Sequence, residues 1–291
     1  MPTVAQHIIA ALEASGIARV YGLPGDSLNG FTDAIRRSGQ IGWEHVRHEE
    51  AAAFAAAADA ALTGGLAVCA GSCGPGNLHL INGLFDAQRT RVPVLAIAAQ
   101  IPLDEVGSQY FQETHPQELF RECSVYCELV SKAEMAPRIV EMAMRSAIEQ
   151  RGVAVVVVPG EVFLSQLSNP DWTIGPVLPT RSVLRPADES LRQAADILNR
   201  STRTTILAGA GCAGAHDEVV ELAWTLRAPI VHALRGKERV LSTVCWTAAA
   251  VHVIVGTRPS TRNTRRCRAA CTQSGAAPRH QQRNISGDDH E

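Results

Sequence analysis

Apolar residues in the first 165 positions follow two alternating periods. Ala5, Ile8, Ile9 and Leu12 stand at i, i+3, i+4 and i+7, and Gly16 closes this helical pattern. A short strand, RVYGLPG, comes next, followed by a helix over SLNGFTDAIRRSG with Leu28, Phe31 and Ile35 on one face. GWEHVRH reads as a strand and EEAAAFAAAADAALTGG as an alanine-rich helix. LAVCAGS is a strand, GPGNLHLINGLFDAQRT a turn and a helix, and VPVLAIAAQ a buried strand. After an irregular stretch, the segment ELV precedes the helix MAPRIVEMAMRSAIEQRG and the strand VAVVVVPG. Apolar strands separated by helices of about 10–15 residues imply right-handed crossovers. The expected fold class is therefore α/β, with a doubly wound parallel sheet covered on both faces.

The pattern breaks twice. Residues 165–187 lose all periodicity and hold four prolines, which sets a first domain at 1–165 and a linker at 166–187. A second α/β unit over 188–240 runs helix ADESLRQAADILNRS, strand TTILAGAG, helix HDEVVELAWTLR, strand APIVHALRG. Only two of its strands are legible, and so small a sheet cannot bury both faces, so it reads as an incomplete Rossmann-like domain. Beyond residue 240 the apolar period dissolves into an irregular tail, 241–291, to which CWTAAAVHVIV contributes at most one strand. Its seven arginines face only Asp288, Asp289 and Glu291. Three readings compete: a basic tail for nucleic acid or acidic partners, a solvated tail without function, and a translation out of register with an ancestral gene. The abruptness of the change, inside a half-built domain, favours the third.

A length of 291 residues fits two domains, and 46% apolar against 19% charged residues leaves ample core material. The net charge of −2 gives no global electrostatic case for a nucleic-acid partner. No apolar run approaches the ~18 residues of a membrane span. The start, MPTVAQHIIAALEASG, lacks a basic n-region and carries His7 and Glu13 within its pattern, so it reads as a helix and not as a signal peptide. A soluble, cytoplasmic chain is expected. The eight cysteines include three C-x3-C pairs, a spacing that on a helix is merely i, i+4 and matches no common zinc pattern. Reduced, buried thiols are expected.

Two glycine loops sit where open α/β sheets bind ligands, at the carboxyl ends of strands. They are Gly22-Leu23-Pro24-Gly25-Asp26 and Gly74-Pro75-Gly76-Asn77; each either closes a tight turn or lets backbone approach a ligand. In Arg47-His48-Glu49-Glu50, Glu50 is given a helix-start role. Glu49 lies beside a strand end that both loops should flank, which leaves a helix-start role and a chemical one open. Gly209-Ala210-Gly211-Cys212-Ala213-Gly214 satisfies G-x-G-x-x-G, but no acidic residue stands about 20 positions on. That weakens a nicotinamide reading and leaves a backbone cradle for another diphosphate open. With ten histidines scattered and no H-x3-H or H-E-x-x-H, no metal site is inferred.

The segments GLPGDSLNG, RHEEAAAFAAAADA, CAGSCGPGNLHLINGLFDA, VPVLAIAAQIP and YFQETHPQELFRECSVYCELV together resemble the N-terminal, pyrimidine-binding domain of the thiamine diphosphate-dependent pyruvate oxidase family. The resemblance is closest to the quinone-dependent pyruvate dehydrogenase branch and continues through GAGCAGAHDEVVE and APIVHALRGKE, to about residue 240. It implies oxidative decarboxylation of pyruvate to acetate, with electrons passing through FAD to a quinone, in a homotetramer associated peripherally with the inner face of the membrane. Glu49 matches the glutamate that activates the cofactor's aminopyrimidine. Phe111 and Gln112 match the F-Q pair near the substrate, and Pro24 and Pro75 the loops that wall the pyrimidine. Gly209, Gly211 and Cys212 match the glycine turn of the FAD domain.

Departures from the family pattern bear on activity. Relatives hold magnesium and the diphosphate with a G-D-G motif and a downstream asparagine, and here Gly-Asp occurs only at Gly25-Asp26 and Gly287-Asp288. No magnesium ligand is therefore assigned, and residues 1–291 alone are expected to be inactive. The alternatives are an acetolactate synthase-like enzyme and a catalytically silent fragment acting only in subunit association.

Overall fold

A computed structural model describes residues 1–168, 175–178 and 184–237. Its first part alternates α1 (Val4–Ala14), β1 (Arg19–Gly22), α2 (Asn29–Ser38), β2 (Gly42–His45), α3 (Glu49–Thr63), β3 (Ala67–Gly71), α4 (Pro75–Thr90) and β4 (Val94–Gln100). It continues through α5 (Pro116–Leu119), β5 (Tyr126–Leu129), α6 (Ala136–Gln150), β6 (Val153–Pro159) and α7 (Gly160–Leu164). The six strands form one parallel sheet in the order β2-β1-β3-β4-β6-β5. This is the α/β architecture expected from the sequence.

Strand side chains alternate between two cores, which is why the central strands read as unbroken apolar runs. Val68, Ala70, Leu95, Ile97, Ala154 and Val156 join the core beneath α1, α2 and α6. Their neighbours Ala67, Cys69, Val94, Ala96, Val153 and Val155 join the other, beneath α3 and α4. The alanines of the third helix have their explanation here: Ala52, Ala53, Ala56, Ala57 and Ala60 are buried. At the crossing, a Cβ on Gly83 of α4 would lie 2.5 Å from the Ala53 Cβ and 2.7 Å from the Phe54 backbone nitrogen. Small side chains on both helices bring the two backbones together.

From β1 the chain passes to β2 on one side and then to β3 on the other, so the strand order reverses between β1 and β3. Gly22 pairs with His45 of β2 and with Ala70 of β3, so the carboxyl ends of these three strands are level. A crevice at such a reversal is where open α/β sheets place ligands.

The chain divides into two units, Met1–Ser182 and Val183–Glu291. Described in the second are α8 (Asp188–Arg200), β7 (Ile206–Ala208), α9 (His216–Leu226) and β8 (Ile230–His232), with the two strands parallel. Its buried cluster is Ala208, Ala223 and Ile230, and α8 buries no residue. The tail from 241 to 291, part of the 166–187 linker, and Cys245, Cys267 and Cys271 lie outside the described residues.

The C-x3-C spacing does not place the described cysteines on helices. Cys69 is on β3 and Cys73 in the turn after it, while Cys123 lies before β5 and Cys127 on it, so neither pair shares a helix. Cys69, Cys73, Cys123, Cys127 and Cys212 are free thiols. Burial pushes the Cys69 thiol up to about 12.

Candidate functional site

The first turn of α3 begins where β2 leaves the sheet. His48 is the N-cap, its Nδ1 accepting from the Glu50 N–H at 3.2 Å, and Glu49 is the first helical residue. A carboxylate there meets the positive end of the helix dipole. Glu49 is 6% exposed, because α4 packs against α3 at the Gly83 crossing and brings its own first turns alongside. His79, on the second turn of α4, places Nδ1 3.0 Å from Glu49 Oε2. The other oxygen, Oε1, faces Gly76, where a Cβ would come within 3.3 Å of it. The His48 ring stacks on that of His79, with centroids 4.3 Å apart. Glu50 does more than start a helix: its Oε1 accepts from the Asn82 amide of α4.

The two glycine loops are tied together. Ser27 and Ser72 share a hydrogen bond at 2.8 Å, and Ser27 Oγ accepts from the Cys73 N–H at 2.9 Å. Pro24 lies exposed in the first loop, and Pro75 exposed at the first position of α4. Gly74 between them has φ 63°, a left-handed conformation that glycine takes without strain. Gln112 lies against that glycine, and a Cβ on Gly74 would stand 2.7 Å from the Gln112 Cβ. The Cys73 thiol donates to Gln112 Oε1 at 3.3 Å. The segment is held further by Gln100 at the end of β4, whose Nε2 donates to the Thr114 carbonyl at 2.8 Å.

Glu49, Pro75 and Gln112 thus gather about the Gly71–Gly76 turn, with Pro24 tied in through Ser27. Phe111 is 78% exposed beside Gln112. Gly209, Gly211 and Cys212 belong to the second unit, where Ala210–Cys212 form a 3-10 turn before α9. His79, Ser27, Cys73 and Gln100 were not singled out from the sequence. No local spacing points to these contacts, since His79 meets Glu49 across 30 positions. A hollow of about 220 Å³ opens at the amino ends of β1 and β3, lined in part by Ser15, Arg19, Asp59 and Val177, away from these residues.

Residues 2–119 match the thiamine pyrophosphate enzyme N-terminal TPP binding domain, and residues 191–267 match the thiamine pyrophosphate enzyme central domain. The chain belongs to the thiamine pyrophosphate enzyme family. It is 59% identical over 238 residues to an uncharacterized 42.6 kDa protein in the isoamylase 3' region of Pseudomonas amyloderamosa, across 81% of this chain and 60% of that one. It is 36% identical over 231 residues to a pyruvate oxidase of Lactiplantibacillus plantarum, across 77% of this chain and 38% of the other. A chloroplastic acetolactate synthase of Arabidopsis thaliana is 32% identical over 236 residues, across 80% and 35%. The chain therefore spans 60%, 38% and 35% of the lengths of these relatives.

The residues present fit thiamine diphosphate at its pyrimidine end. Glu49 offers a buried carboxylate with one oxygen held by His79 and the other beside a glycine. FAD is implied here by the resemblance alone, and the described residues group no donor set suited to magnesium. Cβ atoms on Gly209 and Gly211 would meet nothing within 4 Å, so the backbone of this turn lies open. The grouped donors among the described residues are two imidazoles and one carboxylate, not the oxygen ligands magnesium takes. Among the described residues no helix is long and apolar enough to cross a membrane.

Proposed function

We propose that the crevice at Glu49 binds the aminopyrimidine of thiamine diphosphate and that the reaction served is decarboxylation of pyruvate. The observation that carries this is the Glu49 carboxylate, buried at the strand-order reversal with a single side-chain hydrogen bond. Thiamine diphosphate, when bound, supplies a thiazolium ring that acts as the electron sink for loss of carbon dioxide from a 2-keto acid. Glu49 holds a proton at the aminopyrimidine ring nitrogen through its negative charge. His79 fixes Oε2, which leaves Oε1 for that contact. Pro24 and Pro75 wall the ring without adding backbone donors. Gln112, oriented by the Cys73 thiol, presents its amide to the substrate side, and Phe111 covers that side from water.

Among pyruvate-using relatives, identity favours the pyruvate oxidase at 36% over the acetolactate synthase at 32%. The quinone acceptor, the homotetramer and the cytoplasmic, peripherally membrane-associated location rest on the resemblance of the QETHPQELFRECS stretch. The test fuses residues 1–237 to the C-terminal part of the Lactiplantibacillus plantarum pyruvate oxidase and follows pyruvate. Acetate formed with consumption of an electron acceptor supports the proposal. Acetolactate as product transfers the reading to acetolactate synthase. A folded fusion without turnover supports the silent fragment and overturns the proposal.

A further inference from the structure

Histidine spacing along the chain shows no metal motif, yet folding gathers one. His48, Glu49 and His79 each place one donor atom within 4.8 Å of the other two. We propose that these three residues form a binding site for a divalent transition-metal ion of the zinc class.

Two imidazoles and one carboxylate are the ligand chemistry of zinc, copper and nickel, and hard cations such as magnesium and calcium choose oxygen instead. Spacing agrees with the donor set. Glu49 Oε2 and His79 Nδ1 stand 3.0 Å apart, close to the separation of two donors that each lie at ~2.0–2.1 Å from one ion. Charge agrees as well. Glu49 is almost wholly buried, and Glu50 Oε2 lies 3.8 Å from His48 Nδ1, so two carboxylates surround imidazoles that are neutral when they ligate. Three protein ligands leave positions for water, as in an open zinc site.

His48 is the residue that must move. Its ring is stacked on His79 with 24° between planes, and the two rings must splay for both lone pairs to reach one ion. The His48 side chain is 49% exposed and has the room. Coordination also costs it the cap of α3. Binding through Nδ1 uses the lone pair that now accepts from Glu50, while binding through Nε2 leaves the proton on Nδ1, which then cannot accept. Metal binding therefore exchanges a helix cap for a ligand bond. Because the ion takes Glu49, it competes with any group that uses the same carboxylate. That consequence rests on the function proposed above, and the test of metal binding stands without it.

The experiment uses the full chain without an affinity tag, freed of metal by chelation and titrated with zinc chloride in a calorimeter, with cobalt as a spectroscopic stand-in. The expected result is one ion per chain with a dissociation constant of about 10 µM or tighter, and cobalt d–d bands without a thiolate charge-transfer band. His48→Ala and His79→Ala should each weaken binding by more than about tenfold, while His115→Ala, at an exposed histidine elsewhere, leaves it unchanged. If His79→Ala does not fold, His48→Ala, at the more exposed ligand, decides alone. The proposal is overturned by zinc binding too weak to saturate at about 100 µM, by affinity that both alanine variants retain, or by a cobalt spectrum showing cysteine ligands.

Discussion

Replacing Gly83 by alanine tests the helix crossing that delivers His79 to Glu49. The added Cβ would sit 2.5 Å from the Ala53 Cβ, 2.7 Å from the Phe54 backbone nitrogen and 2.9 Å from the Ala53 carbonyl carbon. Carbon atoms in contact prefer about 3.5–4.0 Å, so α3 and α4 must part by roughly 1 Å at this point. Two of the three atoms are backbone, and no side chain can rotate aside. Overpacking of this kind costs about 1–3 kcal/mol, against a gain of about 1 kcal/mol from alanine's better helix propensity. With the clash at its severe end, a net loss of about 1–2 kcal/mol is expected, which for a unit of this size lowers the melting temperature by about 2–8 °C. Thermal unfolding followed by circular dichroism reads this directly. Ala53→Gly in the Gly83→Ala background should recover part of the loss, since it removes the nearest atom. A Gly83→Ala chain as stable as its parent would mean that the helices do not cross backbone to backbone. The close crossing would then not be what brings His79 to Glu49.

Other outcomes follow from single residues. Asn77 is fully buried and donates to the Ala99 carbonyl at 2.7 Å, while its Oδ1 has no partner; Asn77→Ala should cost about 1 kcal/mol in a denaturant titration, because losing that bond is partly offset by removing the orphaned oxygen. His7 is buried, and desolvation holds its pKa below the ordinary 6.5. The unfolded chain therefore takes up that proton first. His7's contribution is complete above pH 6.5 and is lost as pH falls from there toward its folded value. His7→Leu should flatten the stability profile in that window, and an unchanged slope would show that another group sets it. The Cys69 thiol, raised to about 12, should resist alkylation at neutral pH in the native protein. Peptide mapping that finds it modified as fast as in denaturant would contradict its burial.

Much of the fold was legible because parallel strands covered on both faces leave unmistakable apolar runs, as in VAVVVVPG. Glu49 was legible as a strand-end carboxylate between two glycine loops for the same reason, since the loops follow from the strands. What stayed hidden depends on packing across long sequence distances. His79 reaches Glu49 only because Gly83 and the alanines of α3 allow close approach. Gln112 meets Cys73 across 39 positions, on a segment whose Thr114 carbonyl is held by Gln100. Glu50 looked like a helix-start residue until the partner helix supplied Asn82.

We propose that the Glu49 carboxylate engages and activates the aminopyrimidine. It is tested by proton exchange at the thiazolium carbon of thiamine diphosphate, followed by NMR in the fusion of residues 1–237 with the pyruvate oxidase C-terminal part. Glu49→Gln keeps the size and the capacity to hydrogen-bond but removes the charge that favours a protonated pyrimidine ring. Exchange should slow by orders of magnitude, with the melting temperature little changed. Glu50→Gln, which removes a charge bonded to Asn82, should leave exchange near the parent rate. If Glu50→Gln proves the more damaging of the two, or Glu49→Gln exchanges as fast as the parent, Glu49 is not the activating carboxylate.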